Sequence, residues 1–223
     1  MNLFIGIIYL ILTFSLTLIT YKNYGKNGLF IFIVINIIVS NIQTVKIASI
    51  FGLTTSLGNI TYGAIFLATD IINEKYGIEE SKKIIKISFF SMIMFTLLMN
   101  IFLMFEPSSI DMSQEALSSI FKIMPRITIA SLTAYFISQN IDAILYKKIK
   151  EKYNKLYLSN NISTIISQFI DTCIFTSIAF LGILKFNEII ELIITMLFFK
   201  IIIALLDTPF MYMVNKIKNI KEL

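Results

Sequence analysis

A chain of 223 residues that is 57% hydrophobic, 15% charged and of mean hydropathy +0.81 is too apolar to be one water-soluble core. Such a core needs polar faces to wrap it, and soluble domains carry about 25% charged residues. The absence of histidine and the single cysteine, Cys173, exclude zinc centres of the usual kind, imidazole bases and an internal disulfide.

Seven apolar segments follow one another, at roughly 3–20, 28–45, 53–73, 84–105, 124–146, 160–184 and 188–214. Each approaches or exceeds the ~20 residues that a spanning helix needs. The expected fold is therefore all-α. It is a polytopic membrane helical bundle of about seven (six to seven) transmembrane helices, a single domain over residues 1–223, multi-pass in the inner (plasma) membrane and in contact with the lipid bilayer.

The first segment opens "MNLFIG", with no basic n-region, and no small-residue cleavage site precedes Tyr21-Lys22, so it reads as a retained helix. The second carries Asn36 and Asn41, with Lys46 near its outer end. The third is the weakest, with Gly52, Gly58 and Gly63 inside or beside it, and it ends in "TDIINEKYG". There Asp70, Asn73 and Glu74 stand at i, i+3 and i+4, on one face. Glu79, Glu80, Lys82 and Lys83 read as a solvated loop face.

Lysine placement orients the chain. Fourteen of the nineteen basic residues fall in alternate loops, around Lys22, Lys75–Lys86, Lys147–Lys155 and Lys216–Lys221. The positive-inside rule then gives an N-terminus outside and a C-terminus inside. The net charge of +5 is thus an orientation signal; dispersed among loops without interleaved aromatics, it predicts no nucleic-acid partner.

Segments five and six contain near-repeats, "ISQNID" at 137–142 and "ISQFID" at 166–171. On helices, Ser131, Tyr135, Ser138, Gln139 and Asp142 fall within about 100° of arc. Asn160, Ser163, Thr164, Ser167, Gln168 and Asp171 fall within about 140°. The two helices run antiparallel, with Gln139 and Gln168 both roughly 10–12 Å from the cytoplasmic end. If the stripes face each other, they line a common cavity. Segment seven places Lys200, Ala204 and Asp207 on one face, followed by Thr208-Pro209, where the proline frees a backbone carbonyl. Ser, Thr, Asn and Gln also act as plain helix glue. Charge at the depth of Asp171 and Lys200 is more than glue requires, although a structural Asp–Lys pair would account for both.

From about Asn41 to Tyr212 the chain resembles the queuosine-precursor transporter family, grouped among vitamin uptake transporters. The stretches that carry the likeness are Lys46 with Gly52, "TDIINEKYG" at 69–77, "RITIASLTAYFISQNID" at 126–142, "NISTIISQFIDTCIF" at 161–175 and "LLDTPFMY" at 205–212. One departure is Gly63, where many members have proline. The resemblance implies import of a 7-deazaguanine base (preQ0, preQ1 or queuine) for salvage into tRNA queuosine. A carboxylate can accept together from N1–H and the exocyclic amine of such a purine-like base, and an amide can meet its remaining edge. Asp171 or Asp142 is expected on that N1/N2 edge, Gln139 and Gln168 at O6 or the pyrrole nitrogen, and Tyr135 or Phe175 stacking. Ser138, Ser167 and the Asp70–Asn73–Glu74 cluster complete the substrate-binding set. Lys46, Lys200 and Asp207 are assigned to gating or ion coupling.

No G-x-x-x-x-G-K-[ST] motif occurs. The first reading is an ion-coupled secondary carrier without cofactor or metal, and not an enzyme. The second is a substrate-binding subunit of an ATP-driven importer, the only reading that requires an ATPase partner. A homo-oligomer is compatible with either. An intramembrane aspartyl hydrolase ranks lower, because Asp142 and Asp171 differ in depth and lack flanking glycines. A non-transporting membrane scaffold is the third class.

Overall fold

The computed structural model of the chain describes residues 1–50, 52–153, 156–214 and 216–217; within these, the side chains of residues 142, 143, 146, 150, 156–161 and 164 lie outside the description. The elements run α1 (Asn2–Thr44), β1 (Ile47–Ile50), β2 (Leu53–Ser56), α2 (Gly58–Tyr76), α3 (Ile78–Phe102), α4 (Gln114–Phe121), α5 (Met124–Tyr153), α6 (Leu156–Phe180) and α7 (Phe186–Val214). Four stretches are long and apolar enough to cross a membrane: Asn2–Thr44, Ile78–Phe102, Gln114–Ile141 and Phe186–Val214, with a shorter apolar helix at Ile165–Phe180. Residues such as Ile8, Ile31, Phe90, Leu98, Ile194 and Phe198 are exposed, as befits faces whose solvent is hydrocarbon.

The first two expected segments form one helical run broken at Gly25, whose backbone (φ 58°, ψ −141°) is non-helical. The break is a reversal. A straight helix would hold residues 9 and 43 about 50 Å apart, yet the Gln43 amide Nε2 donates to the Tyr9 hydroxyl at 2.8 Å. The two limbs of α1 therefore lie antiparallel. Glycine suits the turn because a side chain there would be strained. Gly28 permits the close return, since a Cβ on it would sit 2.4 Å from the Tyr24 Cβ.

The third segment starts later than hydropathy suggests. Residues 47–56 form an antiparallel hairpin, pairing Ile47 with Ser56 and Ile50 with Leu53, with Gly52 at φ 75° in the turn. The Ile and Thr residues of "IASI" and "LTTS" favour pleated backbone, and backbone there is paired within the hairpin. The bundle thus carries a small β element that an all-α reading omits. Glu79 and Glu80, expected in a loop, instead occupy the first turn of α3, where carboxylates complement the helix dipole. Gly77, at φ 89°, makes the sharp corner between α2 and α3.

The chain divides into two compact units, residues 1–125 with 198 onward, and residues 126–197. The first unit packs both limbs of α1, α2, α3 and the second half of α7 around Phe14, Leu29, Ile33, Leu67, Ile71 and Ile84, while Met92 of α3 and Phe121 of α4 join Met124 in a smaller cluster. Phe14 meets Phe210 edge-to-face at 5.0 Å. Its two ends are distinguishable. At one, Lys26 pairs with Glu80 at 3.3 Å and lies over the Tyr76 ring. At the other, the Asn2 amide donates to the Ser49 carbonyl at 2.9 Å. The lysine-bearing turns at 22–26 and 75–86 thereby share one end. The second unit contains most of α5, α6 and the first half of α7, around Ala130, Ala179, Phe180, Ile189 and Leu192.

Candidate functional site

In the second unit the polar faces of α5 and α6 meet. The buried Ser138 hydroxyl donates to the Tyr135 carbonyl at 3.2 Å and reaches Asp171 Oδ1 at 3.4 Å. Gln168 stands one turn before Asp171, and its Oε1 is buried without a hydrogen-bond partner among the described residues. Ser163, Ser167 and Thr172 are buried on the same helix. The Thr172 hydroxyl donates to the Gln168 carbonyl at 2.8 Å. An unpaired amide oxygen in an apolar interior costs about 1–3 kcal/mol, so Gln168 is an acceptor in want of a donor. Tyr135 is half-buried one turn from Ser138, and Phe175 is half-buried one turn from Asp171, edge-to-face with Phe180. Gln139 is exposed. The Asp142 side chain lies outside the described residues.

What fixes these helices is partly Arg126, at the start of α5. Its guanidinium donates to the carbonyls of Ile178 and Leu181, which lie among the groups a helix C-terminus leaves without partners. The Thr176 hydroxyl lies 3.7 Å from the Met196 sulfur and ties α6 to α7.

In the first unit Asp70 of α2 and Asp207 of α7 lie close enough for their charges to interact. Asn73 and Glu74 follow Asp70 by one turn and are exposed. Lys200 and Asp207 are half-buried, and Lys46 is exposed beside the hairpin. The helix around Pro209 stays continuous. The Thr208 hydroxyl reaches back to the Ala204 carbonyl at 3.5 Å.

Sequence reasoning missed one polar constellation in the first unit. Gln43 Nε2 donates to the Tyr9 hydroxyl, the Tyr9 hydroxyl and Thr61 Oγ1 are 2.9 Å apart, and Thr61 donates to Gln43 Oε1 at 2.6 Å. The three groups close a ring of hydrogen bonds. Gln43 and Thr61 were visible as polar residues in apolar segments, but nothing in the sequence pairs them with Tyr9.

The family described as "Putative vitamin uptake transporter" matches residues 56–214. The chain is 40% identical over 213 residues, 94% of itself and 93% of the relative, to a "Probable queuosine precursor transporter" of Bacillus subtilis (strain 168). It is 29% identical over 133 residues, 60% of itself and 55% of the relative, to a protein of the same description from Haemophilus influenzae (strain ATCC 51907 / DSM 11121 / KW20 / Rd). No solved structure gives a significant match.

Proposed function

The chain belongs to the vitamin uptake transporter family, and from that premise we propose that it imports a queuosine precursor, a 7-deazaguanine base, across the cytoplasmic membrane as an ion-coupled secondary carrier. The single observation that carries the site is the buried, unpartnered Gln168 oxygen one turn from Asp171. A 7-deazaguanine offers N1–H and the exocyclic amine to one carboxylate, and its pyrrole N–H to an amide oxygen. Asp171 takes the first edge, Gln168 the second, and Tyr135 or Phe175 stacks on the ring. Ser138 holds the Asp171 carboxylate in place. Bases lacking the pyrrole N–H would leave the Gln168 oxygen without a donor, and this supplies discrimination.

The reversal at Gly25 splits α1 into two passes, which with α2, α3, α5, α6 and α7 makes seven. The shared end of the lysine turns at Lys26 and Glu80 supports an N-terminus outside and a C-terminus inside. Asp70, which is exposed, and the half-buried Asp207 carry like charges that repel each other, and a proton or metal cation between them relieves that repulsion. They are the coupling pair in this reading, with Lys200 and Lys46 as gating residues.

The test is uptake of labelled base by cells that cannot synthesise it. Asp171→Asn should lower uptake at least about tenfold, the scale of losing charged hydrogen bonds to a ligand, at unchanged membrane abundance. Undiminished uptake overturns the site. Competition among preQ0, preQ1 and queuine in reconstituted vesicles, with and without a pH gradient, assigns the base and the coupling ion. Gradient-independent uptake that requires co-purifying ATPase subunits would replace the carrier reading.

A further inference from the structure

Helix α3 has two unlike sides. The side packed against the rest of the first unit carries Ser81, Ile84, Ser88, Met92 and Thr96, all buried. The opposite side is exposed along its length. Lys83, Lys86, Phe90, Met94, Leu97 and Ile101 belong to it and fall within about 80° of arc. Two lysines thus head a stripe that continues inward as bulky apolar side chains. From Lys86 to Leu97 the rise is about 16 Å, close to the hydrocarbon depth of one leaflet, half of about 30 Å.

The charge at the head of this stripe is unbalanced. The Lys82 ammonium donates to Glu79 at 3.0 Å, and Glu80 pairs with Lys26 at 3.3 Å. Both carboxylates of the first turn are thus engaged, and neither Lys83 nor Lys86 has an ion-pair partner among the described residues. Residues three apart on one helix face are neighbours, and like charges so placed repel. An anion between the two ammoniums relieves that repulsion. The stripe below them says which anion. The span Ile78–Phe102 is long and apolar enough to cross a membrane, so the exposed Phe90, Met94 and Leu97 meet acyl chains. A second copy of the chain does not fit. Copies in one membrane share an orientation, so a two-fold contact along α3 would set Lys83 and Lys86 against their own counterparts. Helix seams in lipid also favour small residues, and these are bulky.

We propose that this face of α3 binds an anionic phospholipid. The phosphate bridges the Lys83 and Lys86 ammoniums at the level of the headgroups, and one acyl chain lies along Phe90, Met94 and Leu97. Lysine stems reach outward to that level while their methylenes stay against hydrocarbon. The site uses no residue of the transport reading, and it stands whether or not the transported base is the one proposed above.

The chain contains no tryptophan, so a single one introduced by Phe90→Trp reports on the lipid beside it. Phe90 is 65% exposed, and the larger ring displaces only lipid. The full-length variant is reconstituted in vesicles of phosphatidylcholine and phosphatidylglycerol in varied ratio, with one or the other lipid brominated in its acyl chains. Fluorescence quenching then gives the relative affinity of the two lipids at that position. Phosphatidylglycerol should be favoured at least about fivefold, the factor that one basic residue near an anionic bilayer surface supplies. Leu12→Trp, at an exposed position of α1 with no charged residue within two turns along the helix, should show no preference. Lys83→Gln with Lys86→Gln, added to Phe90→Trp, should remove the preference. A ratio near one in Phe90→Trp, the same ratio at both reporters, or a preference that survives loss of both lysines overturns the proposal. Absence of quenching by either lipid would mean that another chain covers the stripe, and overturns it as well. The two reporters are compared in chains that keep both lysines, so the comparison decides even if the glutamine variants do not fold.

Discussion

Helix α2 approaches α7 closely at Gly63, and the contact yields a quantitative test. A Cβ at Gly63 would lie 2.2 Å from Ile203 Cγ2 and 3.7 Å from Phe14 Cε1. The Ile203 methyl cannot swing clear, because a β-branched side chain in a helix keeps one χ1 rotamer about 90% of the time. Overpacking of this kind costs about 1–3 kcal/mol. The better helix propensity of alanine returns at most about 1 kcal/mol. Gly63→Ala alone should therefore lower stability by up to about 2 kcal/mol. In an Ile203→Ala background the obstruction is gone, and the same substitution should be neutral or stabilising. The double-mutant cycle should then show an interaction term of about 1–3 kcal/mol. The assay is reversible unfolding in mixed micelles by denaturing detergent, with all four proteins compared. If the two substitutions add to within about 0.5 kcal/mol, the close contact between these helices does not exist as described.

Three further outcomes follow from other contacts. Gly25→Ala forces a side chain into a backbone conformation that L-residues rarely adopt, and it should cost about 1–3 kcal/mol in the same unfolding assay. Arg126→Ala removes charged hydrogen bonds from the last carbonyls of α6; it should destabilise by about 1.5–3 kcal/mol and speed amide exchange in residues 176–181. In the exposed turn before α4, hydrogen bonds from the Ser113 backbone N–H and hydroxyl hold the Asp111 carboxyl below its ordinary range. A depressed carboxylate favours the ordered turn above the unfolded-state pKa and loses that preference as pH falls through the folded value. Ser113→Ala should shift the Asp111 midpoint upward, read by carboxyl NMR.

The helical segments were legible because hydrocarbon demands long apolar runs, and that demand is written residue by residue. Segments five, six and seven coincide with α5, α6 and α7 for this reason. The hairpin at 47–56 was not legible, since a short stretch of Ile, Leu and Thr reads equally as a strand or as the start of a span. The direction of the chain at Gly25 depends on one residue's backbone angles, which hydropathy does not carry. Within the candidate site, helical periodicity put Ser138 and Asp171 on polar faces, and the structure brings those two side chains to 3.4 Å. The burial of the Gln168 oxygen and the exposure of Gln139 were not separable, because both occupy the same position of the same motif. Only the packing of neighbouring helices distinguishes them. The proximity of Asp70 to Asp207 was likewise invisible, being a contact between elements more than 130 residues apart.

The closed circle of Tyr9, Gln43 and Thr61 bears on how the protein enters the membrane. The first hairpin of helices leaves the ribosome before α2, so a phenol and a carboxamide arrive in lipid with no third member to complete the circle. Each is a liability there until Thr61 arrives. Docking of α2 thus completes hydrogen bonding that the two limbs of α1 cannot complete by themselves.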